Sequence, residues 1–453
     1  MTDSQPTQDL LARYDVPGPR YTSYPTVPSW KLPFGPGEYR EALGELARVE
    51  QDAVSVYVHL PFCQYRCHYC ACNVTVARHT DVADRYLNRL ELELDLVTAI
   101  LGRDRRVVQL HLGGGTPNFL TPVQFGRLND MLEARFALAP EAERSLEADP
   151  RLVSREQLVT LRELGVRRIS YGIQDFDSVV QAAIGRVQPT PVVIGAVELA
   201  RDLDFEGINL DLIYGLPRQT ADRFERTLEA ALALRPNRVA CYNYAHVPQL
   251  RPNQRLIDPA MLPSGVEKLR LFRMAVDAFT GCGYEWIGLD HFADRGDSLT
   301  RAARERRLHR DFMGYTTRAT LHLLAFGMSA IGDVAGRFVQ NVPRTGQYQR
   351  LVDQGELPIE RGHHLSADDR SRRRAILHLM CNLDLPYRLL PAPVEESQAR
   401  LQPLVDDGLV EAGTEAYQVT ATGRWFLRNI AMTLDAYLPR ERPAAPPVFS
   451  RTL

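Results

Sequence analysis

Four of the seven cysteines in this chain lie within one short segment, at Cys63, Cys67, Cys70 and Cys72. Thiolates separated by three and then two residues can surround a single iron–sulfur cube, and such clusters are usually held by four cysteines. If this segment supplies only three ligands, one iron keeps an open position where a small molecule can bind and be reduced. The spacing therefore predicts a redox site built on an iron–sulfur cluster.

Two structural explanations compete with the cluster. A structural zinc site usually needs two Cys-x-x-Cys pairs, or cysteine pairs followed by spaced histidines. The chain has no second pair, and His68 and His79 fit no common zinc spacing. A disulfide framework belongs to oxidising compartments, whereas residues 1–6 are polar and contain no apolar signal region. The iron–sulfur interpretation is therefore favoured over both.

The composition bounds the class of protein. The chain has 453 residues, of which 45% are hydrophobic, which is enough for a large core with accessory domains. Its net charge of −2 provides no basic field, so we expect no nucleic-acid partner. The longest apolar runs are shorter than a membrane span, so we expect no membrane span and a cytoplasmic location.

From about residue 50 the sequence alternates between short apolar runs and amphipathic stretches. The predicted strands are 54–60, 107–112, 145–148, 168–173, 207–214 and 238–244. The predicted helices are 81–101, 122–136, 155–164, most of 177–203, and 221–234. Repeated strand–helix units predict a parallel sheet. Six units in succession predict an incomplete α/β barrel, with 284–288 as a candidate seventh strand.

Polar and glycine residues follow these predicted strands. Because the active site of a βα barrel lies at the carboxyl ends of its strands, we expect these residues to line one polar mouth. They are the four cysteines after the first strand, residues 113–116 after the second, Glu147 and Asp149 at the third, Gln174 and Asp175 after the fourth, Asp211 on the fifth, and Asn243, Tyr244 and His246 at the sixth.

The glycine run at residues 113–117 (GGGTP) lets the backbone approach a ligand closely. It matches neither a dinucleotide fingerprint nor a phosphate loop, because both of those patterns are missing. It is either a tight turn or, beside a redox loop, a grip for an amino acid or nucleoside group. Glu147 and Asp211 are likewise either members of internal ion pairs or ligand-binding carboxylates, Glu147 at ribose hydroxyls.

The two ends of the chain differ from the barrel. We expect residues 1–37 to form an extended arm over the active site, because six prolines between residues 16 and 36 exclude regular helix. Tyr21, Tyr24 and Trp30 in this arm indicate that it packs against the body of the protein. Residues 38–362 form the predicted catalytic barrel.

Residues 363–453 are predicted to be mainly helical and similar to a winged helix. The expected order is a basic helix from about residue 363, a helix at 395–407, a hairpin at 408–411 and 417–419, and a helix at 422–437. Winged helices often bind DNA, but no clearly basic recognition helix is present, so we expect this domain to cap the barrel.

At the cysteine loop and at residues 113–117, the chain resembles the radical S-adenosylmethionine (SAM) enzymes. Further segments resemble, more specifically, the oxygen-independent coproporphyrinogen III oxidases, and this resemblance covers nearly the whole chain. The segments are 18–26 (GPRYTSYPT), 57–63 (YVHLPFC), 111–117 (HLGGGTP), 172–176 (GIQDF), 211–217 (DLIYGLP), 243–246 (NYAH), 290–293 (DHFA) and 314–317 (GYTT).

The resemblance implies a partial radical-SAM (β/α)6 barrel with a 4Fe-4S cluster on Cys63, Cys67 and Cys70, and Cys72 as an extra cysteine that does not bind it. It also implies two SAM molecules. The first lies near Tyr57, Gly114, Glu147 and Ile331, and the second near Tyr69, Gly115, Thr116, Gln174, Arg186, Asp211 and Ala245. The chain departs from the family at Tyr69, where Phe is common, and at Ala71, where Gly is common; both positions concern the second SAM.

The implied reaction is the oxygen-independent oxidative decarboxylation of two propionates of coproporphyrinogen III to vinyl groups. It gives protoporphyrinogen IX in haem biosynthesis, through 5′-deoxyadenosyl radicals from SAM. The resemblance further implies a low-potential electron donor such as flavodoxin or ferredoxin, and a monomer. Because the substrate carries four carboxylates, arginines should line its pocket, and Arg20, Arg310 and Arg337 are candidates.

Three other functions remain as alternatives. A haem-binding chaperone on the same fold would lack the arm segment 21–26 and the Cys70-Ala71-Cys72 ending, both of which this chain has. A haem-degrading radical-SAM methyltransferase would consume haem itself. A zinc-stabilised protein would have no enzymatic activity. The oxidase is the function that we expect.

Overall fold

A sheet of twelve strands runs through the molecule in this computed structural model, which describes residues 6–30, 33–49, 51–438 and 449–452. The strands in chain order are β1 Val54–Leu60, β2 Arg105–Gly114, β3 Phe136–Ala148, β4 Arg168–Gln174, β5 Gly207–Tyr214, β6 Arg238–Asn243, β7 Tyr284–Ile287, β8 His291–Asp294, β9 Leu323–Phe326, β10 Ile331–Val334, β11 Arg337–Asn341 and β12 Ile359–His364. Their order across the sheet is β12-β11-β10-β9-β1-β2-β3-β4-β5-β6-β8-β7.

Helices precede, connect and follow these strands. They are α1 Gln8–Tyr14, α2 Pro36–Ala47, α3 Asp81–Leu101, α4 Pro122–Glu133, α5 Arg155–Glu163, α6 Ser178–Ala183, α7 Thr190–Asp202, α8 Ala221–Ala233, α9 Gly265–Gly281, α10 Ser298–Arg304, α11 Thr345–Asp353, α12 Ala367–Asn382, α13 Val394–Asp406 and α14 Leu427–Met432. Within the described ranges, none of these helices is long and apolar enough to cross a membrane.

Strands β1 to β6 are parallel and lie side by side in chain order. Their sequences are rich in buried Val, Ile and Leu; in β1, six of seven residues are buried. This pattern is typical of parallel strands with both faces covered. Each connection between consecutive strands contains a helix, so the prediction of a partial α/β barrel with six strand–helix units is confirmed.

The sheet extends beyond these six strands on both sides. Beside β1 lie four strands that were not predicted from the sequence: β9, which is parallel to β1, and the antiparallel β10, β11 and β12. These strands have only four to six residues, and β9, β10 and β11 follow one another without a helix between them, so they do not show the alternation of strands and helices. On the other side β7 forms as predicted, but it pairs antiparallel with β8 and ends the sheet.

One predicted boundary is wrong by several residues. The helix expected at 122–136 ends at Glu133, and β3 begins at Phe136 instead of residue 145. The first part of β3 pairs with the start of β2, while Glu141–Arg144 makes the middle of the strand polar. A polar run of this kind hides a strand from a search for apolar runs, because only the partner strand fixes its conformation.

The arm packs against the body of the protein as predicted, but it is not extended throughout, because α1 lies within it. Tyr21, Tyr24 and Trp30 are all buried. The Tyr21 hydroxyl donates to Asp435 at 2.9 Å, and the Trp30 ring stacks on Phe338 with 5.4 Å between ring centroids. The arm therefore contacts both the C-terminal region and strands β9 to β12, here called the added edge of the sheet.

The C-terminal region has a hydrophobic cluster of its own, which includes Tyr21 and Tyr24 of the arm. Short strands Asp384–Pro386, Val410–Ala412 and Ala416–Val419 form a small antiparallel sheet among α12, α13 and α14. The last helix is shorter than predicted and ends at Met432, before Asp435 accepts the bond from Tyr21. The division into arm, barrel and winged-helix-like domain stays a prediction.

Glu93 joins α3 to the added edge of the sheet. Its buried carboxylate accepts hydrogen bonds from the Gly327 N–H at 2.8 Å, the Asn341 side-chain amide at 2.6 Å and the Tyr348 hydroxyl at 2.7 Å. Burial raises the pKa of Glu93 to about 7, although the three hydrogen bonds act to lower it. The carboxyl group therefore binds its proton more tightly in the folded than in the unfolded state.

The free energy of unfolding should consequently decrease as the pH rises from about 5 to about 8. Over this range the carboxyl group of the unfolded chain has already lost its proton, whereas that of the folded protein is still losing it. The pKa shift from 4.5 to about 7 corresponds to a decrease of about 3 kcal/mol in the free energy of unfolding across this range. In Glu93→Gln, which cannot titrate, this component of the pH dependence should disappear. Denaturant unfolding across the range measures it, and an equally steep fall in the variant contradicts the account.

Candidate functional site

The cysteine loop, residues 61–80, leaves the carboxyl end of β1 and folds back on itself. Phe62–Cys63 pairs with Thr75–Val76, and the Cys70 N–H donates to the Cys67 carbonyl at 3.3 Å. The three thiols of Cys63, Cys67 and Cys70 line one cavity of about 370 Å³, which we call the cluster cavity. The loop therefore brings the predicted ligands to the carboxyl edge of the sheet.

Gly115 allows the loop to lie against the end of β2. Its N–H donates to the Leu60 carbonyl at 2.9 Å. A Cβ atom at this position would lie 2.6 Å from the Pro61 carbonyl oxygen and 2.8 Å from that of Phe62, closer than real Cβ contacts come. The glycine run therefore allows two backbone segments to approach each other closely, and it is not merely a tight turn.

Arg186 reaches the loop from the segment between α6 and α7. Its guanidinium lies 3.7 Å from the Cys67 sulfur and 3.2 Å from the Asp149 carboxylate, and it donates to the Gly172 carbonyl at 2.6 Å. Burial would lower the pKa of Arg186, but nearby groups, led by Tyr69 and Asp149, raise it instead. The side chain therefore stays cationic beside the thiols, where it partly offsets the burial that raises the pKa of Cys67.

Glu147 lies where β2 and β3 end. Its carboxylate accepts the Gly114 N–H at 3.1 Å and lies 3.4 Å from His111 Nε2. Burial would raise the pKa of Glu147, but the hydrogen bond and charge of His111, with the Gly114 N–H, outweigh burial and lower it. Glu147 is therefore an anionic acceptor at the mouth of the barrel.

Asp211 on β5 differs from Glu147 because its pKa is raised and not lowered. It accepts hydrogen bonds from Ser170 and from the Asn209 amide, both at 2.9 Å. Burial and the charge of Glu147 raise the pKa of Asp211 to about 7 in spite of these bonds. Two carboxyl groups in one mouth thus differ in proton affinity, which is a frequent property of functional sites.

Two amide side chains that were not predicted from the sequence, Asn253 and Gln254, hold the cysteine loop from outside. The Asn253 side chain lies within hydrogen-bond distance of the carbonyls of Cys67, His68 and Cys70, at 2.9 to 3.1 Å. Gln254 donates to the Tyr69 carbonyl at 2.8 Å and to the Ala245 carbonyl at 3.0 Å. Their position after β6 was the only available signal, because amide side chains in a loop form no recognisable motif.

A second, larger cavity of about 910 Å³, the arm cavity, adjoins the cluster cavity. Both cavities are lined by Ala71, Cys72, Gly114, Glu147 and Tyr242. Four arginines line the arm cavity: Arg20, Arg251, Arg310 and Arg361. Arg310 is 2% exposed and bonds the Arg20 and Tyr21 carbonyls of the arm, but its Nη1 has no hydrogen-bond partner among the described residues.

Most of the predicted site residues share these cavities. The cluster cavity is lined by Cys63, Cys67, Tyr69, Cys70, Gly114, Gly115, Thr116, Glu147, Gln174, Arg186 and Asp211. The arm cavity is lined by Tyr57 and Ile331, together with Gly114 and Glu147. Ala245 lines neither cavity and instead accepts a bond from Gln254 behind the loop. Arg337 is also elsewhere, paired with Glu45 of α2 at 2.8 Å.

The three thiols fit a cluster better than a single ion. In the part of the chain that the structure describes, no three His, Cys, Asp or Glu side chains are placed to hold one metal ion. Zinc requires ligands that converge on a point, whereas the thiolates of an iron–sulfur cube bind different irons around a larger group. The cysteine loop, open to a cavity, matches the second arrangement.

Comparisons with known proteins agree with this geometry. Residues 57–231 match the model of the Radical SAM superfamily. Oxygen-independent coproporphyrinogen III oxidase of Pseudomonas aeruginosa is 39% identical over 95% of this chain and 96% of its own length. The Escherichia coli protein of the same name is 40% identical over 98% of both chains. The solved structure of coproporphyrinogen III oxidase from Escherichia coli, described as a radical SAM enzyme, aligns with a TM-score of 0.88 and 39% identity over 96% of this chain and all of that one.

The six-stranded parallel core and the cysteine loop are therefore those of the radical SAM superfamily. Within it, the chain belongs to the family of oxygen-independent coproporphyrinogen III oxidases. Membership of the superfamily implies a 4Fe-4S cluster and SAM.

Gly115→Ala should reduce the iron that the protein binds after anaerobic reconstitution. The added methyl group meets backbone oxygen atoms that no side-chain rotation can move away, so the loop must shift, at a cost of about 1 to 3 kcal/mol. Gly44→Ala is the matched control, because a methyl group at Gly44 meets nothing within 4 Å. Iron content and thermal midpoint are the measurements, and equal iron in both variants contradicts the close-approach account.

Proposed function

We propose that this protein is an oxidoreductase that converts coproporphyrinogen III to protoporphyrinogen IX without oxygen, in haem biosynthesis. The observation that carries the proposal is the pair of adjoining cavities, one lined by three cysteines and the other by four arginines. The full-length similarity to coproporphyrinogen III oxidases supports it. The reaction needs a redox cofactor next to a substrate with several carboxylates. The cysteines of the cluster cavity suit the cofactor, and the arginines of the arm cavity suit the substrate.

In this proposal Cys63, Cys67 and Cys70 hold the 4Fe-4S cluster. When bound, the cluster and SAM supply the one-electron chemistry that yields methionine and the 5′-deoxyadenosyl radical. The lowered pKa of Glu147 keeps its carboxylate ready to accept ribose hydroxyls, and Gly114, which donates its N–H to Glu147, lines both cavities beside it. Tyr57 and Ile331 complete the surroundings of the first SAM on the arm-cavity side.

We also propose a second SAM beside the first. Its surroundings are Tyr69, Gly115, Thr116, Gln174, Arg186, Asp211 and Ala245. All but Ala245 line the cluster cavity, which supports a common site. Ala245 acts through Gln254, whose amide bonds both Ala245 and Tyr69.

The arm cavity is the proposed site of coproporphyrinogen III. Carboxylates form their strongest hydrogen bonds with guanidinium groups. Arg310 offers an Nη1 atom that has no hydrogen-bond partner among the described residues. Arg20 comes from the arm itself and is paired with Asp290, so the arm supplies part of the wall. The arm would also exclude water from the reacting propionate.

The remaining partners follow from the same proposal. The cluster requires a low-potential one-electron donor, such as flavodoxin or ferredoxin. The reaction withdraws one electron from each propionate after hydrogen transfer and releases carbon dioxide, so an electron acceptor is needed as well. We place the protein in the cytoplasm as a monomer.

The proposed function is tested by anaerobic reconstitution with iron and sulfide, followed by SAM, dithionite and coproporphyrinogen III. We expect 5′-deoxyadenosine and protoporphyrinogen IX, resolved by chromatography. In Cys63→Ser, both products and most of the iron should be lost, because one ligand of the cluster is missing. Cys282→Ser is the matched control, since Cys282 is exposed and outside the loop.

Turnover of haem, seen as loss of its Soret band, with no vinyl product from coproporphyrinogen III would instead identify a haem-degrading enzyme. A full-strength cluster in Cys63→Ser would overturn the ligand assignment.

Arg361→Gln should raise the KM for coproporphyrinogen III about tenfold, because a carboxylate of the substrate loses one charge-assisted hydrogen bond. Formation of 5′-deoxyadenosine without substrate should stay unchanged, since Arg361 lines only the arm cavity. Arg350→Gln is the control, an exposed arginine on α11 that lines neither cavity. Steady-state kinetics measure both variants, and an unchanged KM in Arg361→Gln would place the carboxylates elsewhere.

A further inference from the structure

The wall of the cluster cavity that faces solvent is made of Gln64, Tyr65 and Arg66, and all three are exposed. The cavity is also lined by residues at the strand ends, among them Glu147 and Asp211. The residues that it shares with the arm cavity are Ala71, Cys72, Gly114, Glu147 and Tyr242, so Gln64, Tyr65 and Arg66 do not line the arm cavity. An electron carrier that approached from outside would therefore meet the cysteine loop without displacing the substrate.

The segments that pack on the loop expose apolar side chains. Val187 is 63% exposed and Leu256 is 68% exposed. Arg151 connects Val187 to the loop, because its guanidinium lies 4.7 Å from the centre of the Tyr65 ring and donates to the Val187 carbonyl at 3.2 Å. Leu256 lies two residues after Gln254, which with Asn253 holds the loop carbonyls.

Arginine is the only charged residue type within the same segments, which end next to Asp81, Asp177, Glu198 and Asp258. Residues 61–80, 178–197 and 244–257 contain no Asp or Glu. They contain three exposed arginines, Arg66, Arg78 and Arg255, together with Arg251 of the arm cavity and Arg186, which is buried and paired with Asp149. The whole chain has a net charge of −2, so this local excess is not a property of the protein in general. Arg78 and Arg255 are exposed, and both lie outside the two cavities.

From these observations we propose that Tyr65, Arg66, Arg78, Val187, Arg255 and Leu256 form the docking surface, here called the loop surface, for an acidic protein that carries single electrons at low potential. This inference rests on the proposed function, which requires such a donor. One electron leaves the reduced carrier and enters the cluster, and no bond forms or breaks. A small surface with exposed apolar groups inside a charged rim is typical of transient electron-transfer complexes.

Charge reversal on this surface provides the test. Photoreduced flavodoxin, an acidic carrier, should reduce the cluster of Arg78→Glu/Arg255→Glu about tenfold more slowly than that of the wild type at low ionic strength, because electrostatic attraction mainly sets the association rate. The difference should shrink as salt screens the charges. The rate is followed as the bleaching of the cluster absorbance, without coproporphyrinogen III.

Arg103→Glu/Arg235→Glu is the matched control with the same change in net charge. Both arginines are exposed and precede the amino ends of β2 and β6, at the opposite edge of the sheet from the loop. Flavodoxin should reduce this variant at nearly the wild-type rate. Dithionite, which needs no docking surface, should reduce all three proteins equally, and this also checks that each cluster is intact.

Equal rates with flavodoxin for the wild type and Arg78→Glu/Arg255→Glu, or an equal loss in the control, would overturn the proposal. If the charge-reversed variant assembles no cluster, Arg78→Gln/Arg255→Gln replaces it, with a smaller loss of rate expected. Failure of the proposed function is a separate outcome, in which flavodoxin reduces the cluster through this surface but no vinyl product forms.

Discussion

The site depends on the contact between two backbones at Gly115. Because this residue has no side chain, the cysteine loop can pass over the end of β2 with its Pro61 and Phe62 carbonyls where a Cβ atom would lie. The contact fixes the loop to the strand that also supplies Gly114, and Gly114 in turn bonds Glu147. These contacts fix the positions of the three cysteines, the glycine run and the Glu147 carboxylate relative to one another, so a shift of any one of them would move the others.

The charges in this frame are arranged before any cofactor binds. Arg186 is neutralised by Asp149 and faces Cys67, while Glu147 is held anionic by His111. Buried charges without partners are costly, and these pairs avoid that cost while leaving polar groups directed at the cavity. Polar groups that are already oriented need not reorganise during the reaction. Cys72, which we propose is not a cluster ligand, lines both cavities.

The sequence was sufficient for the features that depend on local pattern. Six strand–helix units follow from the alternation of apolar runs, and the residues after each strand share an edge because parallel strands end together. Features that depend on distant partners were not predictable. Strands β9 to β12 pair only with β1 and with one another. The role of Asn253 depends on its contact with the loop carbonyls, which the sequence does not reveal. Arg310 and Arg337 look alike in sequence, yet one lines the arm cavity and the other pairs with Glu45.

The central claim is that the cluster cavity and the arm cavity serve one reaction, in which hydrogen passes from a propionate of the substrate to the nucleoside. The most direct measurement uses coproporphyrinogen III deuterated in its propionate side chains, with the reconstituted protein, SAM and a reductant in the absence of oxygen. Mass spectrometry should find deuterium in the 5′-deoxyadenosine, together with protoporphyrinogen IX. Unlabelled 5′-deoxyadenosine, or labelled 5′-deoxyadenosine with no vinyl product, would contradict the account.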